Sequence, residues 1–293
     1  MTVWNLGSIN IDHFYRLPHL PAPGETLAAH DYKMGLGGKG ANQSVAAARA
    51  GARVKHIGGV GPEAWALDRL QGYGVDCRHV ERCALATGHA IITVDALGEN
   101  AIVLYPGANR ALGLPGVTAA LDGAVPGDTL LLQNEAAHAP EAAQMARGKG
   151  MRVVYSAAPF EVAAVRAVLP HITLLVLNEV EASQLAAALG TGLDRLLVPQ
   201  VLVTRGAEGA EWRDLGSGER VFQPAFKVEA VDTTGAGDTF AGYFAAARDR
   251  GMPPAEALRL ASAAAALKVT RAGTADAIPD LAEVELFLKG RAA

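Results

Sequence analysis

The sequence predicts an α/β fold with a mostly parallel central sheet and a small β-sheet lid. Three observations lead to this prediction. From about residue 115 onward, short apolar runs of β-forming residues alternate with alanine-rich segments, which is typical of βαβ units with parallel strands. The first third contains β-rich runs separated by turn residues, and the last third is mostly helical.

The β-rich first third predicts a lid that is separate from the central sheet. The stretch "AIITVDALGENAIVLYPG" consists of two β-rich runs around Leu97–Asn100, which predicts a hairpin. Together with "INIDHFYRL" and "HDYKMGLGG", this hairpin is expected to form a small sheet from about residues 9–36 and 88–106. The chain has no repeat, low-complexity tract or linker, so we expect one domain over residues 1–293.

The central sheet and its helices are predicted in the remaining chain. Strands are expected at "DTLLLQNE", "MRVVYSAA", "ITLLVLNEVEA" and "VLVTRGAEG", with helices at "APEAAQMARGKG" and "FEVAAVRAVLP". In "TFAGYFAAARDRG", Phe240, Tyr243, Phe244 and Ala247 fall on one helical stripe, and Gly251 ends the helix. Another helix is expected to start at the prolines of "PPAEALRLASAAAALKVTRAG" and to end near Gly273.

The composition excludes several classes of function. Charged residues make up 19% of the chain and the net charge is -4, so the chain has no basic footprint for nucleic acid and no polybasic membrane anchor. No apolar run approaches the ~18 residues of a membrane span, and the N-terminus lacks a secretion-signal pattern, so we expect a cytoplasmic protein. Cys77 and Cys83 match no zinc or redox spacing and are interpreted as unreactive thiols.

A first glycine-rich motif, "GLGGKG", covers Gly35–Gly40. It formally satisfies the dinucleotide pattern G-x-G-x-x-G, but the preceding "AAHDYKM" is a poor buried strand, which disfavours that interpretation. A P-loop is excluded because glycine follows Lys39 where Ser or Thr is required. The motif leaves Lys39, Asn42 and Gln43 at a helix start, where a binding site and a simple turn with a cap are both possible interpretations.

A second motif, "VDTTGAGDTFAG", covers Val231–Gly242. Its glycines permit backbone angles closed to other residues, so consecutive amides from about Gly235 to Asp238 can point into one concavity. The start of the following helix adds its positive end, which favours an anion. Asp238 is either the N-cap of this helix or a base that accepts an alcohol proton beside the anion site.

These motifs resemble those of the ribokinase-like, PfkB-type carbohydrate kinases. The matching stretches, in chain order, are "GSINIDH", "PGETL", "GGKGANQSVAAARAGA", "PGAN", "NEVEA", "VTRGAEGA" and "VDTTGAGDTFAG". They extend over nearly the whole chain, and the GGKGAN and DTTGAGD regions correspond to the signatures of the family. The resemblance implies a three-layer α/β/α ribokinase-like fold with a lid, and a phosphotransferase with an alcohol group as acceptor.

The resemblance also implies roles for individual residues. Asp238 is expected to be the catalytic base, with the backbone amides of Gly235, Ala236 and Gly237 as the anion site. Residues expected to bind the sugar, together with Asp238, are Asn10, Asp12, Gly38, Lys39, Asn42 and Glu135. Thr204, Gly206 and Gly209 are expected to border ATP. The lid would close over the sugar and exclude water.

Two cation sites follow from the same resemblance. Asn178 and Glu181 of "NEVE" would place Mg²⁺, partly through water. Residues expected to hold a monovalent cation such as K⁺, in part through their backbone, are Asp232, Thr234, Arg271 and Gly273. The family usually ends this second set with a serine, whereas this chain has Ala277, so activation by potassium stays open.

The expected function is ATP-dependent phosphorylation of a primary hydroxyl of a small sugar, with D-ribose as the first candidate. The expected partners are the sugar, ATP and a second copy of the chain that pairs through the lid. Two alternatives are a kinase for another sugar or a nucleoside, and a non-catalytic sugar-binding regulator. The regulator is disfavoured because Asp238 and both flanking glycines are present.

Overall fold

A computed structural model describes residues 1–291, in which the strands form two sheets. The strands, in chain order, are β1 (Thr2–Leu6), β2 (Asn10–Arg16), β3 (Asp31–Gly37), β4 (Arg53–Val60), β5 (Asp76–Arg82), β6 (Gly88–Val94), β7 (Asn100–Tyr105), β8 (Thr129–Leu132), β9 (Arg152–Ser156), β10 (Leu174–Asn178), β11 (Gln200–Thr204), β12 (Gly209–Asp214) and β13 (Arg220–Pro224). The α-helices are α1 (Lys39–Arg49), α2 (Trp65–Gly72), α3 (Leu114–Asp122), α4 (Ala139–Gly148), α5 (Val162–Val168), α6 (Glu179–Leu189), α7 (Ala236–Asp249), α8 (Pro254–Val269) and α9 (Leu281–Lys289).

The central sheet is mostly parallel, as predicted. Within the described residues it has nine strands in the order β13-β12-β11-β10-β9-β8-β1-β4-β5. The strands from β11 to β5 are parallel, and β12 and β13 continue the sheet in antiparallel pairing. Strands β1, β4 and β5 come from the first third of the chain, where the sequence analysis predicted only the lid. Strand β1 is almost completely buried, so it lacks the polar alternation that reveals a half-exposed strand.

Helices cover both faces of this sheet and make it the middle of three layers. Adjacent strand residues such as Val3 and Trp4 pack into two different apolar clusters, because successive side chains of a strand point to opposite faces. The first cluster includes residues of α1, α2, α7, α8 and α9, and the second includes residues of α3 to α6. The three-layer prediction is therefore confirmed.

The lid is a second sheet with the order β3-β2-β6-β7. Strand β2 is antiparallel to β3 and parallel to β6, and the predicted hairpin joins β6 to β7 in antiparallel pairing. Its turn closes with a hydrogen bond from Asp95 N to Glu99 O of 3.0 Å. The glycine-rich motif Gly35–Gly40 begins inside β3 and ends in α1. Because β3 belongs to the lid, the motif does not follow a central strand, in agreement with the rejected dinucleotide interpretation.

The C-terminal helices agree with the sequence except at one end. Phe240, Tyr243 and Phe244 of α7 are buried, and Gly251 follows the helix with a left-handed φ of 83°. Helix α8 ends at Val269, before the predicted end near Gly273. Thr270 ends it, because its N–H and its hydroxyl both donate to Leu267 O, at 3.2 and 2.7 Å.

Helices α1 and α7 pack closely enough to bring their N-terminal turns together. Gly242 of α7 makes this approach possible, since a Cβ at this position would lie only 2.5 Å from Gln43 O of α1. Side chains at the start of α1 can therefore reach Asp238 in the first turn of α7. Separately, none of the helices in residues 1–291 combines the length and the apolar character that a membrane span requires.

Candidate active site

Asp238 lies in the first turn of α7 with its side chain in the protein interior. The N-cap of the helix is Gly235, which has a left-handed φ of 73°, so the alternative interpretation of Asp238 as the N-cap is wrong. Asp238 is the third helical residue and is only 8% exposed. A buried carboxylate needs hydrogen-bond donors, and two amide side chains of α1 supply them.

These two amides hold both oxygens of the Asp238 carboxylate. Asn42 Nδ2 donates to Oδ2 and Gln43 Nε2 donates to Oδ1, each at 3.1 Å. Two donors from one rigid helix fix the orientation of the carboxylate, and each oxygen keeps a lone pair for a further partner. Asn42, which was predicted to contact the sugar, thus supports Asp238, and its buried Oδ1 has no partner within residues 1–291.

A buried chain of polar side chains continues behind Gln43. Gln133 Nε2 donates to Gln43 Oε1 at 2.7 Å and to Asn5 Oδ1 at 3.0 Å. Asn5 Nδ2 donates to Ser44 Oγ at 2.9 Å, and Ser44 in turn contacts His56. All five side chains are completely buried. Burial lowers the pKa of His56 to about 4, so this chain is uncharged near neutral pH.

The Lys39 ammonium group feels the negative charge of three carboxylates, although it forms no ion pair within 4 Å in residues 1–291. The pKa of Lys39 is raised mainly by the negative charge of Asp238, against the effect of burial, and Glu135 and Glu181 add to the increase. Lys39 is the first residue of α1, and its backbone N–H donates to Glu135 Oε2 at 3.1 Å. The Lys39 ammonium group and the Asp238 carboxylate therefore act on the same partly enclosed space. The positive charge of Lys39 favours the binding of an anionic group there.

Most amides of the predicted anion site are available. Ala236 N–H donates to Thr233 O at 3.2 Å, so this amide already closes a turn. Across residues 1–291, no protein group accepts a hydrogen bond from the backbone N–H of Gly235, Gly237 or Asp238. Unpaired amides at a helix N-terminus favour an anion, and here Asp238 N–H takes the place that the sequence analysis assigned to Ala236.

A small polar cavity lies beside this region. It has a volume of about 80 Å³, and its lining consists of Ser8, Asn10, Asn109, Arg110, Asn134 and Glu135, together with Pro106, Pro159 and Leu104 of the lid strand β7. Glu135 Oε2 also accepts a hydrogen bond from Ser8 Oγ, and Asn10 Oδ1 accepts one from Asn109 Nδ2 at 2.7 Å. The predicted residues Asn10 and Glu135 thus share one cavity. Ser8, Asn109 and Asn134 were not predicted as site residues. Ser8 and Asn109 lie in the matching stretches GSINIDH and PGAN, which were the available signal, whereas Asn134 lies in no matching stretch.

Asp12 is a second buried carboxylate near this cavity, but its environment differs from that of Asp238. Its pKa is raised to about 7, first by burial and then by the negative charge of Glu135. No side chain or backbone N–H within residues 1–291 donates to its carboxylate oxygens. Gly37 leaves room for it, since a Cβ there would overlap the carboxylate. Gly38 packs on the other side of this loop, where a Cβ would lie 2.9 Å from Ser8 O.

A much larger cavity extends from the start of α7 to the edge of the central sheet. Its volume is about 660 Å³, and it is lined by Thr204, Gly206 and Gly209, as predicted, and by Ala236 and Gly237 of the anion site. Its apolar wall includes Phe226, Val228, Phe240, Ala266 and Val269. This size and mixed lining suit a ligand with a flat apolar part and a charged end that reaches the amides of α7.

The two residues predicted to place Mg²⁺ form a capping box at the start of α6. Asn178 Oδ1 accepts from Glu181 N and Glu181 Oε2 accepts from Asn178 N, both at 2.8 Å. Both side chains carry oxygen atoms, which suit this ion. Within residues 1–291 no group of three or more acidic, His or Cys side chains could hold a metal by itself, so phosphate oxygens and water would have to complete the coordination.

The residues predicted for a monovalent cation meet around Asp232. Its carboxylate accepts from Thr234 N and Gly273 N, both at 2.9 Å. Burial acts to raise the pKa of Asp232, but these hydrogen bonds outweigh it and the pKa is lowered. Arg271 N donates to Lys268 O at 3.0 Å, while the Arg271 guanidinium binds Glu283.

The donor set around Asp232 does not fit a monovalent cation. Lys268 Nζ donates to Asp232 O at 2.9 Å and lies 3.9 Å from Asp232 Oδ2. A positive charge is therefore already present at this carboxylate. Ala277, where the family has a serine, offers no hydroxyl ligand.

Comparison with known proteins identifies the family. The profile of the pfkB family of carbohydrate kinases matches residues 2–281. The chain belongs to this family. It is 36% identical to the protein named ribokinase from Haemophilus influenzae, over 98% of each chain. Members of the family transfer a phosphoryl group to an alcohol, so the chain is a carbohydrate kinase.

Solved structures agree with this assignment. The chain superposes on ribokinase from Thermotoga maritima with a TM-score of 0.87 at 33% identity, over 99% of each chain. It superposes on Arabidopsis thaliana ribokinase, described as complexed with ribose and ATP, with a TM-score of 0.85 at 29% identity, over 98% of each chain. The predicted ribokinase-like fold is confirmed by this agreement over nearly the full length of the chains.

Proposed function

We propose that this pfkB-family kinase transfers the γ-phosphoryl group of ATP to the primary hydroxyl of D-ribose and forms ribose 5-phosphate. The observation that carries the proposal is the Asp238 carboxylate, held by two amides next to the unpaired N–H groups of α7. Gly237, its neighbour, lines the large cavity, and Glu135, which binds the start of α1, lines the small polar cavity. The similarity to the ribokinases of Haemophilus influenzae and Arabidopsis thaliana supports ribose as the acceptor.

In the proposed reaction, Asp238 accepts the proton of the sugar hydroxyl. The sugar oxygen forms a bond to the γ-phosphorus of ATP, the bond from this phosphorus to the bridging oxygen breaks, and ADP leaves with the bonding electrons. The amides of Gly235, Gly237 and Asp238 stabilise negative charge on the transferred group, and the Lys39 ammonium adds a positive charge. Asp238 then releases its proton to solvent.

The acceptor would be bound by polar groups that can each take a further hydrogen bond. Each sugar hydroxyl can donate one hydrogen bond, and the Asp12 carboxylate has no donor among residues 1–291. Asn10 and Glu135 line the adjacent cavity and can accept further hydroxyl hydrogens. A polyhydroxylated ligand would thus pair buried groups that are costly to leave unpaired.

Mg²⁺ is the second proposed cofactor, bound with ATP near Asn178 and Glu181. When bound, the ion would neutralise charge on the phosphates. Asn178 and Glu181 bind each other through one oxygen each, so their other side-chain atoms would orient water in the ion's shell. Potassium is not part of the proposal, because Lys268 already places a positive charge beside Asp232.

The lid is proposed to close over the sugar and to pair with the lid of a second copy. Its edge strand β7 is exposed along its whole length, with Ile102 59%, Val103 68% and Leu104 50% exposed. An unpaired apolar edge strand favours pairing with another chain. The single domain over residues 1–293 and the cytoplasmic location stay predictions.

The function is tested by mixing the purified protein with ATP, Mg²⁺ and a panel of pentoses, hexoses and nucleosides. ADP is measured by chromatography, and the phosphorylated position is identified by NMR. We expect the highest kcat/KM with ribose and the phosphate on its primary hydroxyl. A folded protein that forms no ADP with any acceptor, or that prefers a nucleoside or hexose, would contradict the proposal.

A further inference from the structure

Lys268 is a completely buried lysine that the proposed reaction does not use. It lies at the end of α8 and is 0% exposed. Its Nζ donates to Asp232 O at 2.9 Å and lies 3.9 Å from Asp232 Oδ2. A buried ammonium group is unfavourable unless it is paired, so its contact with one particular aspartate calls for a reason.

Asp232 connects the two loops next to the anion site. One carboxylate oxygen binds Thr234 N, in the loop that leads to Gly235, and the other binds Gly273 N, in the loop after α8. The position of this carboxylate thus affects the amides that would stabilise the transferred phosphoryl group. The two amide donors already stabilise this partly buried carboxylate, and Lys268 adds a positive charge beside it.

From these contacts we infer that the Lys268 ammonium permanently replaces a monovalent cation at Asp232, so that the enzyme does not require potassium. A K⁺ ion is bound by several oxygen atoms that replace its hydration shell. Here the buried Ala277 contributes no side-chain oxygen, and a second positive charge would be repelled by Lys268. Lysine, in contrast, is attached to the fold, and its three donors need only a few acceptors.

The inference rests on the proposed phosphoryl transfer but not on ribose as the acceptor. It also predicts a property of the empty protein. If Lys268 supplies the charge, the melting temperature of the unmodified protein should respond equally to K⁺, Na⁺ and tetramethylammonium at the same ionic strength. This measurement is independent of turnover, so a wrong acceptor assignment cannot be mistaken for failure of the inference.

The experiment compares the unmodified protein with Lys268→Met and Lys268→Ala in salts of these three cations. Methionine keeps the length of the side chain and removes its charge, whereas alanine leaves space for an ion. Lys289→Ala, at an exposed site in α9, is the matched control. ADP is measured by chromatography, without coupling enzymes whose own response to salt would interfere, and melting is followed by circular dichroism.

We expect kcat/KM of the unmodified protein and of Lys289→Ala to vary less than about twofold among the three salts. The reason is that the Lys268 ammonium is part of the chain and does not exchange with cations in solution. Lys268→Met should lose at least about tenfold in every salt. In tetramethylammonium, kcat/KM of Lys268→Ala should fall as much as that of Lys268→Met. In K⁺, both the activity and the melting temperature of Lys268→Ala should rise again. Stimulation of the unmodified protein by K⁺ of about fivefold or more would overturn the inference, as would a Lys268→Met variant that folds and retains full activity.

Discussion

Asp238 and Asp12 are both buried aspartates of the candidate site, but their hydrogen-bond partners differ. Asp238 is held by the amides of Asn42 and Gln43 and faces Lys39. Asp12 has no donor within residues 1–291, and its pKa is raised to about 7 by burial and by Glu135. A fixed carboxylate beside a positive charge suits a base, whereas an unpaired carboxylate suits a ligand for hydroxyl groups. The hydrogen-bond and charge partners of the two carboxylates, more than their burial, therefore distinguish the proposed base Asp238 from the proposed sugar ligand Asp12.

The largest effect is expected for Asp238→Asn. The amide cannot accept the hydroxyl proton, so kcat should fall by about 10²- to 10⁴-fold, the usual contribution of a general base. The KM for the sugar should change little, because the side-chain volume and one of the two amide hydrogen bonds remain. Steady-state kinetics and sugar titration by calorimetry check this, with the exposed Asp68→Asn in α2 as control. Near-normal kcat in the folded variant would remove Asp238 from its proposed role.

The corresponding substitution Asp12→Asn should affect sugar binding more than turnover. A hydrogen bond from a hydroxyl to a charged carboxylate contributes about 1.5–3 kcal/mol, so sugar affinity should fall by about 10- to 100-fold. The decrease in kcat should be several times smaller than that of Asp238→Asn. Equal losses in kcat for the two variants would show that it is wrong to assign Asp238 as the base and Asp12 as a sugar ligand.

Gln43→Ala tests whether the buried polar chain positions Asp238. Without Gln43 Nε2, one carboxylate oxygen loses its donor and Gln133 loses its acceptor. A slightly misplaced base can cost up to about 100-fold, so we expect kcat to fall by about 10- to 100-fold at unchanged KM. Gln71→Ala, on the exposed side of α2, is the control. Rescue by Gln43→Glu is not expected, because a second carboxylate would repel Asp238. A changed KM with an unchanged kcat would contradict the positioning role of Gln43.

The smallest expected effect is the pH dependence of stability and of sugar binding that arises from Asp12. The pKa of Asp12 is raised from 3.8 to about 7, so the sugar-free protein binds a proton that the unfolded chain has already lost. Its contribution to the free energy of unfolding therefore decreases as pH rises from 3.8 to about 7. Sugar hydroxyls favour the ionised form, so sugar binding should release protons just below pH 7 and weaken as pH falls.

Calorimetry in buffers of different ionisation enthalpy measures this proton release. Asp12→Asn should abolish it, whereas the release should persist in Asp238→Asn. Proton release of the same size in Asp12→Asn would assign the titration to another group.

The sequence predicted the catalytic end of the site better than the acceptor pocket. Asp238, Gly235 and Gly237 belong to one local motif, and the conformation of a helix N-terminus depends on neighbouring residues, so its chemistry could be inferred without coordinates. Thr204, Gly206 and Gly209 were predicted from the family resemblance of the VTRGAEGA stretch, and they line the large cavity. The parallel strands after residue 115 were also predicted from alternating elements.

The remaining features depend on contacts between distant parts of the chain. Gln133 binds Gln43 across 90 positions, and its own segment carries no motif. In the sequence, Lys268 cannot be distinguished from an ordinary lysine at the end of a helix. Only the packing of α8 brings it into contact with Asp232. The N-cap role was left open for Asp238, because the sequence does not determine which residue begins a helix to within a few positions.

In the proposed reaction, Asp238, and no other carboxylate, takes the proton from the acceptor hydroxyl. A crystal structure with ribose and a non-hydrolysable ATP analogue tests it directly. We expect the primary hydroxyl oxygen at about 2.6–3.2 Å from an Asp238 oxygen, with the γ-phosphate against the amides of Gly235 and Gly237. A primary hydroxyl bound instead to Asp12 or Glu135, with Asp238 out of reach, would contradict it.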